Sequence, residues 1–233
     1  MSAGKGKFSH VLLTRPQAES EDLARMLAPM GIDAIIQPAQ VFQGREPEAG
    51  QLEGLEAADG ALLIFTSTRA VEFGLPRLPP GLLARARIAA IGPATAKALN
   101  SAGRRVDIQP ENGFTSEALL ETLSGQALSG PGAACVICAP GGRQALVEGL
   151  AAAGWDPRPV WVYERRAADL SPDALKAIHD ADRLLSVFTS DHAMQVLSQR
   201  LPPSAWYAIC RGEWLVVSER LQRLARAFGP AAV

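Results

Sequence analysis

The stretch Leu62-Leu63-Ile64-Phe65-Thr66-Ser67-Thr68-Arg69-Ala70-Val71 begins with four apolar residues and continues through two hydroxyl residues. The apolar run predicts a buried β-strand, and the hydroxyl residues suit the start of a helix directly after it. The same pattern returns at Leu184-Leu185-Ser186-Val187-Phe188-Thr189-Ser190-Asp191-His192-Ala193, and Phe65 and Phe188 are 188 − 65 = 123 positions apart. Two copies of one junction predict two similar α/β lobes, with a functional cleft between them.

The repeat extends beyond this junction. Further matches at spacings of 123, 124 and 126 are Gly31 with Gly154, Thr14-Arg15-Pro16 with Cys138-Ala139-Pro140, Gly92 with Ser218, and Gly103 with Gly229. Strand and helix patterns also alternate along the chain, which predicts mainly parallel sheets with flanking helices. The predicted fold class is therefore α/β with two similar lobes.

Composition excludes several classes of function. The 233 residues carry a formal net charge of −1, so no basic field suggests a nucleic-acid partner. Apolar runs stay short of the roughly 18 residues that a membrane helix needs. Residues 1–7 lack the apolar core of a signal peptide, so we expect a cytoplasmic protein without a membrane partner.

The cysteines include a Cys135-Val136-Ile137-Cys138 pattern, which in other contexts binds a metal or carries a redox pair. Here Val and Ile between the thiols predict a strand, where positions three apart face opposite sides. A second Cys or His pair that would complete a zinc site does not follow. We expect no metal and no cofactor, and we predict that Cys135, Cys138 and Cys210 are buried thiols.

Some segments are predicted from weaker signals. A short helix is predicted at Leu52–Ala58, a loop at Leu75–Gly81, a strand at Val106–Gln109 and a short strand at Trp206–Ile209. Two extended stretches with prolines, near Pro38 and near Tyr163, are predicted to be connectors or edge strands.

In open parallel sheets, ligands bind beyond the carboxyl ends of the strands. The candidate substrate-binding residues at these ends are Thr14, Arg15, Thr66, Ser67, Gly92, Thr95, Arg143, Thr189, Ser190 and Ser218. Each hydroxyl could simply cap a helix. As a set, however, they place helix starts and backbone N–H groups around one cleft, which favours anions. Tyr163 is either a structural anchor or a phenol that donates a proton or hydrogen bond into the cleft.

Several short motifs together resemble the uroporphyrinogen-III synthase family. They are Leu13-Thr14-Arg15-Pro16, Phe65-Thr66-Ser67 with Ala70-Val71, Ile91-Gly92-Pro93-Ala94-Thr95-Ala96, Val162-Tyr163-Glu164, Phe188-Thr189-Ser190 and Val216-Val217-Ser218-Glu219-Arg220-Leu221. Each motif is short, but their order and spacing cover nearly the whole chain.

The resemblance implies two α/β lobes joined by a two-stranded connector. Residues 1–36 and 172–233 would form a discontinuous first lobe and residues 50–158 the second, with connectors at 37–49 and 159–171. One departure is that Ser218-Glu219-Arg220 replaces Gly92-Pro93-Ala94, so Leu221 stands where the other lobe has Thr95. In addition, no strand and helix matching Val106 to Leu123 follow the last helix.

The resemblance also implies a reaction. Hydroxymethylbilane, a linear tetrapyrrole with an acetate and a propionate on each ring, would lose water and close to uroporphyrinogen III with ring D inverted. Tyr163 would assist loss of the hydroxyl as the catalytic residue, and the hydroxyls at the strand ends would bind or position carboxylates. A monomer is expected, with the preceding pathway enzyme as a partner, and no cofactor is implied.

An alternative function belongs to a different class. A non-catalytic two-lobed α/β protein could bind an anionic small molecule with the same hydroxyl and arginine residues. A nucleotide-binding enzyme is disfavoured, because neither a Walker A pattern nor a G-x-G-x-x-G motif occurs.

Overall fold

The computed structural model describes residues 8–55, 60–125 and 132–233. The strands of this part are β1 (His10–Leu13), β2 (Asp33–Ile36), β3 (Gln40–Gly44), β4 (Leu62–Phe65), β5 (Arg87–Ala90), β6 (Ala133–Cys138), β7 (Asp156–Trp161), β8 (Tyr163–Ala167), β9 (Leu184–Phe188) and β10 (Glu213–Val216). The helices are α1 (Gln17–Leu27), α2 (Thr68–Gly74), α3 (Pro80–Arg85), α4 (Pro93–Ser101), α5 (Ser116–Gly125), α6 (Gln144–Ala152), α7 (Pro172–Asp180), α8 (Asp191–Arg200), α9 (Pro203–Arg211) and α10 (Glu219–Arg226).

The chain divides into two compact units. Unit 1 comprises the chain up to Phe42 together with Arg165–Val233, and unit 2 comprises Gln43–Glu164. Strands β3 and β8, which pair in a two-stranded sheet, contain the two points where the chain passes from one unit to the other. The domain boundaries given above from sequence stay a prediction.

Each unit contains a four-stranded sheet whose neighbouring strands are all parallel. The strand order is β10-β9-β1-β2 in unit 1 and β5-β4-β6-β7 in unit 2. These orders correspond strand for strand when β9 is matched with β4, as the repeat of Phe65 at Phe188 requires. The predicted α/β class with mainly parallel sheets and flanking helices is confirmed.

The register of the sheets extends this correspondence to single residues. Ile64 pairs with Val136 of β6, and the residues 123 positions away from them, Val187 and Leu13, pair with each other in unit 1. Strand β4 is buried along its whole length, as expected for an inner strand covered on both faces. Strand β7 contains two prolines and lies at an edge of its sheet, where a missing N–H is tolerated.

The apolar cores explain why these elements pack. In unit 1, Phe188 contacts Trp214 with ring centroids 4.5 Å apart, and Trp206 lies edge-on to the same indole at 5.6 Å. In unit 2, the face of the sheet that contains Ile64 and Val136 packs under α5 and α6. Because the strands of each sheet are parallel, their carboxyl ends lie at one edge of that sheet.

The predicted strand at Trp206–Ile209 is wrong, because these residues lie in helix α9. Pro203 begins this helix, where its missing N–H costs nothing, and Ala205 and Ile209 are buried at helical spacing. The predicted loop at Leu75–Gly81 ends early for the same reason, since Pro80 begins α3. Cys210 lies in α9 and is half-buried, so the prediction that it is a buried thiol is also wrong.

Two further segments differ from the predictions at Val106–Gln109 and after the last helix. Within Val106–Gln109, Ile108 makes a single parallel bridge to Ala89 and no longer strand forms. In unit 1, Ala232 makes a similar single bridge to Glu213, so residues after α10 do extend that sheet. The helix predicted at Leu52–Ala58 lies partly outside the described residues, and its described part, residues 52–55, forms turns.

Candidate active site

The most connected group of predicted site residues lies where β4 turns into α2. Ser67 is the N-cap of α2, and its Oγ accepts a hydrogen bond from the Ala70 N–H at 3.1 Å. The Tyr163 hydroxyl lies 3.4 Å from the same Oγ. The structure therefore brings together two candidate residues that are 96 positions apart in the chain.

Helix α2 holds the tyrosine at both of its ends. Ser67 meets the phenol oxygen at the start of the helix, and the Phe73 ring near its end stacks on the Tyr163 ring at 5.7 Å with an interplanar angle of 27°. Tyr163 is only 4% exposed. Its ring orientation is consequently fixed by packing on one side and by a hydroxyl contact at the tip.

An arginine that sequence reasoning missed fixes the end of α2. Arg77 Nη1 donates a hydrogen bond to the Phe73 carbonyl at 2.9 Å, and Arg77 Nε lies 3.1 Å from Glu46 Oε1. The guanidinium lies against Gly44 in β3, where an added Cβ would overlap it. No local pattern marks Arg77 or Phe73 as functional, because their roles depend on the distant strands β3 and β8.

Thr66 is already engaged within the sheet of unit 2. It is 5% exposed, and its Oγ1 donates a hydrogen bond to the Ile137 carbonyl at 2.8 Å. Thr95 is similarly buried, at 4% exposure, in the first turns of α4. The binding roles proposed for these two hydroxyls stay predictions, and the structure gives Thr66 a clear structural use.

Gly92 and Arg143 follow strands β5 and β6, which flank β4 on its two sides. Gly92 has extended backbone, and an added Cβ would lie 3.1 Å from the Phe114 Cβ, so close approach explains the glycine. Arg143 has φ +59° and is the only non-glycine residue with positive φ in residues 8–55, 60–125 and 132–233. Such backbone costs on the order of 1 kcal/mol and often marks a functional loop.

The five remaining candidates lie at the corresponding edge of the sheet in unit 1. They are Thr14, Arg15, Thr189, Ser190 and Ser218. Thr14 is buried and donates its hydroxyl to the Val187 carbonyl at 2.8 Å, whereas Thr189 is exposed.

Helix starts in unit 1 carry both hydroxyl caps and charge. Ser190 caps α8 through the Ala193 N–H at 3.2 Å, and Ser218 caps α10 through the Leu221 N–H at 3.3 Å. Arg220 lies 3.3 Å from Asp191, and its hydrogen bond, assisted by the His192 backbone N–H, lowers the pKa of the Asp191 carboxyl. The positive charge of Arg220 is therefore partly neutralised at this edge.

Cys135 and Cys138 lie buried in strand β6. Burial raises the pKa of the Cys135 thiol to about 12 and that of the Cys138 thiol to about 11, so both stay protonated at neutral pH. Among the described residues, no group of His, Cys, Asp and Glu side chains is arranged to hold a metal ion.

Comparison with known proteins decides the family. The sequence profile described as "Uroporphyrinogen-III synthase HemD" matches residues 21–226. The chain belongs to the uroporphyrinogen-III synthase family. A uroporphyrinogen-III synthase of Escherichia coli K12 is 31% identical over 237 residues, which cover 94% of this chain and 91% of the E. coli protein. A putative uroporphyrinogen-III synthase of Methanothermobacter thermautotrophicus is 34% identical over 121 residues, or 51% of this chain and 47% of that protein.

Solved structures in the uroporphyrinogen-III synthase family share the fold. A mutant synthase from Thermus thermophilus gives a TM-score of 0.55 at 20% identity, covering 96% of this chain and 91% of that one. The synthase from Helicobacter pylori 26695 gives 0.59 at 16% identity, covering 95% and 89%. At these identities the likeness concerns the fold, and membership of the family rests on the sequence matches.

Membership of this family favours the lyase over the non-catalytic binding protein considered as an alternative. None of the helices that the structure describes has the length and apolar character needed to cross a membrane.

Proposed function

We propose that this chain is a uroporphyrinogen-III synthase, a lyase that converts hydroxymethylbilane into uroporphyrinogen III. In this reaction the linear tetrapyrrole loses water, ring D is inverted through a spiro-pyrrolenine, and the macrocycle closes. No cofactor is needed, because the unassisted substrate already loses water and closes to the wrong isomer. The protein must mainly hold the chain of rings in a folded geometry.

The observation that carries the proposal is the contact between Ser67 and Tyr163 in a chain of this family. Loss of a hydroxyl group as water needs a proton donor at the leaving oxygen. The two hydroxyls lie 3.4 Å apart beside the start of α2, and stacking on Phe73 holds the phenol in place. Tyr163 is accordingly proposed as the catalytic residue.

The remaining candidates are proposed to bind and position the carboxylates of the substrate. In unit 2 these are Gly92, Thr95, Thr66 and Arg143, the last of which is exposed at the end of β6. In unit 1 they are Thr14, Arg15, Thr189, Ser190 and Ser218. Exposed arginine and backbone N–H groups suit a substrate with eight carboxylates without requiring a strongly cationic protein.

We further propose that the chain acts as a monomer in the cytoplasm and receives its substrate from the preceding pathway enzyme. The instability of hydroxymethylbilane supports direct supply, because free substrate closes to the type I isomer. Gel filtration with light scattering tests whether the chain is a monomer, and the same measurement after mixing with that enzyme tests whether the two associate.

The experiment for the function itself is direct. Freshly generated hydroxymethylbilane is mixed with the protein, the products are oxidised, and the type I and type III uroporphyrins are separated. We expect the type III isomer to dominate with the protein and the type I isomer to dominate without it. Type I product alone at high protein concentration would refute the proposal.

A further inference from the structure

We propose that Ser67 passes the proton directly to the leaving hydroxyl of the substrate, and that Tyr163 supplies that proton through Ser67. This inference rests on the proposed function, because it concerns loss of water from hydroxymethylbilane. It changes the role of Ser67 from binding a carboxylate to donating a proton.

Burial separates the two hydroxyl residues. Tyr163 is 4% exposed, whereas Ser67 is half-buried at the point where β4 ends. A substrate at the carboxyl edge of the sheet therefore reaches the Ser67 hydroxyl more readily than the phenol behind it.

The hydrogen-bonding capacity of Ser67 points to the direction of transfer. A serine hydroxyl has one proton to donate and two lone pairs that accept. The Ala70 N–H uses one lone pair at 3.1 Å, and the Tyr163 O–H can donate to the other across 3.4 Å. The proton of Ser67 itself is then left for a group outside this pair.

The surrounding contacts keep this arrangement in place. Phe73 fixes the plane of the tyrosine ring, and Arg77 holds the Phe73 carbonyl at 2.9 Å. Gly74, the last residue of α2, lets this helix pack closely on β6, since an added Cβ would lie 2.8 Å from a methyl group of Ile137. These contacts hold the Tyr163 hydroxyl beside Ser67 at the start of α2.

The proton transfers balance over one turnover. Ser67 Oγ–H gives its proton to the leaving oxygen as the C–O bond breaks, and water departs. Tyr163 O–H restores the proton of Ser67 and is left as a transient phenolate. When the closed macrocycle loses a proton to become aromatic at the pyrrole again, that proton returns through Ser67 to Tyr163.

The test uses substitutions that retain the helix cap. Asn caps helices about as well as Ser but cannot pass on a proton, whereas Thr retains both functions. We expect kcat for the type III product to fall roughly tenfold or more in Ser67→Asn and in Tyr163→Phe. The double variant should be no slower than the slower single variant, and Ser67→Thr should retain kcat within about twofold.

The dependence of kcat on the deuterium content of the solvent shows how many protons are transferred in the rate-limiting step. In mixtures of H₂O and D₂O, kcat of the wild-type protein should depend on the deuterium fraction along a curve, as two transfers require. In Ser67→Asn the dependence should become linear. Loss of a helix cap by itself does not change this shape.

A control variant measures the effect of losing a helix cap without losing the proposed proton transfer. Ser171 caps α7 through the Ala174 N–H at 3.2 Å and lies outside the proposed site. Ser171→Ala should lower stability as a lost cap does while leaving kcat unchanged.

Three results separate failure of the relay from failure of the function. Wild-type kcat in Ser67→Asn together with a slow Tyr163→Phe would show that Tyr163 acts directly, and would overturn the relay. Effects of the two single variants that multiply in the double variant would also overturn it. Type I product alone from the wild-type protein would instead overturn the proposed function.

Discussion

Ser67 and Ser190 occupy the same place in the two units but have different surroundings. Each caps a helix that follows an inner strand, with N–H donors at 3.1 Å and 3.2 Å respectively. Tyr163 begins the crossing strand β8 beside Ser67, and the residue 163 − 123 = 40 that begins the other crossing strand is Gln40. Both units therefore have the serine cap, whereas only unit 2 has a tyrosine at the start of its crossing strand.

Gln40 also differs from Tyr163 in how its polar group is satisfied. Gln40 Oε1 is buried without a hydrogen-bond partner among the residues that the structure describes, whereas the Tyr163 hydroxyl has Ser67. Unpaired buried acceptors cost free energy. The two units thus share a fold and a helix cap but differ in what lies beside the crossing strand, and this difference is why we propose the proton transfer in unit 2.

A second difference concerns what covers the sheets. Ala89 pairs with Ile64 and is fully buried under α5 in unit 2. Leu215 pairs with Val187, the counterpart of Ile64, yet is 52% exposed. No described residues in unit 1 form a counterpart of α5.

The helix next to α5 shows the same contrast. An added Cβ at Gly149 of α6 would overlap the Leu120 side chain of α5, so this glycine makes room for that helix. Met26 stands 149 − 26 = 123 positions earlier, in α1, and is 71% exposed. At these two pairs of positions, the residue beside α5 is small (Ala89, Gly149), and its counterpart in unit 1 is large and exposed (Leu215, Met26).

The largest expected effect comes from exchanging these residue types. Ala89→Leu adds three carbon atoms to a filled core and should lower the free energy of unfolding by about 2–3 kcal/mol. The reciprocal change Leu215→Ala, at the exposed position, should alter it by about 1 kcal/mol or less. Urea denaturation followed by circular dichroism measures both, and equal losses would show that the two faces are covered alike.

A pH effect of intermediate size should arise in unit 2. Cys135 and Cys138 bind their protons more tightly in the folded chain, because burial raises their pKa values to about 12 and about 11. Their contribution to stability is complete below the pKa of an unfolded thiol, about 8.5, and declines as the pH rises above it.

Between pH 7 and pH 9 we expect these two thiols together to lower the free energy of unfolding by about 1–2 kcal/mol. The measurement is urea denaturation at both pH values, for the wild-type protein and for a Cys135→Ala, Cys138→Ala variant with a smaller pH dependence. The control Cys210→Ser removes the half-buried thiol of unit 1 and should change this dependence little. An equal pH dependence in all three proteins would contradict the explanation.

The smallest effect concerns the hydroxyl residues that precede the two caps. Thr66→Val removes the bond to the Ile137 carbonyl and should cost about 1 kcal/mol, whereas Thr189→Val, at an exposed position, should cost almost nothing. Thermal denaturation of both variants checks the difference. A larger loss in Thr189→Val would mean that the hydroxyl bonds are distributed differently between the units.

The sequence alone predicted most of the sheet architecture. The repeat of Phe65 at Phe188, with apolar runs between hydroxyl and glycine residues, was sufficient to anticipate two similar parallel units. It was sufficient because inner parallel strands need continuous apolar residues, and helix starts need caps. Aligning the repeat relates the strand order of one unit to that of the other, and the order itself comes from the structure.

The missed helices had a signal that the repeat could have supplied. Leu78-Pro79-Pro80 returns as Leu201-Pro202-Pro203, 123 positions later, and both segments begin helices. Trp206 lies in the second of these helices and packs against Trp214 and Phe228, so the strand predicted at Trp206–Ile209 does not form.

The geometry of the candidate site was beyond sequence reasoning for a different reason. Ser67, Phe73 and Tyr163 meet through pairing of strands that are far apart in the chain. Each residue by itself fits an ordinary structural role, so local pattern does not distinguish them. Only the fold shows that α2 contacts the tyrosine at both ends.

The most direct test of the difference between the units is kcat for type III product in Tyr163→Phe and in Gln40→Leu. We predict a loss of roughly tenfold or more for Tyr163→Phe, because proton donation at the leaving hydroxyl depends on it. Gln40→Leu should retain kcat within about twofold, since it removes an acceptor that has no partner in the described structure. Wild-type turnover in Tyr163→Phe together with a large loss in Gln40→Leu would contradict the assignment of the chemistry to unit 2.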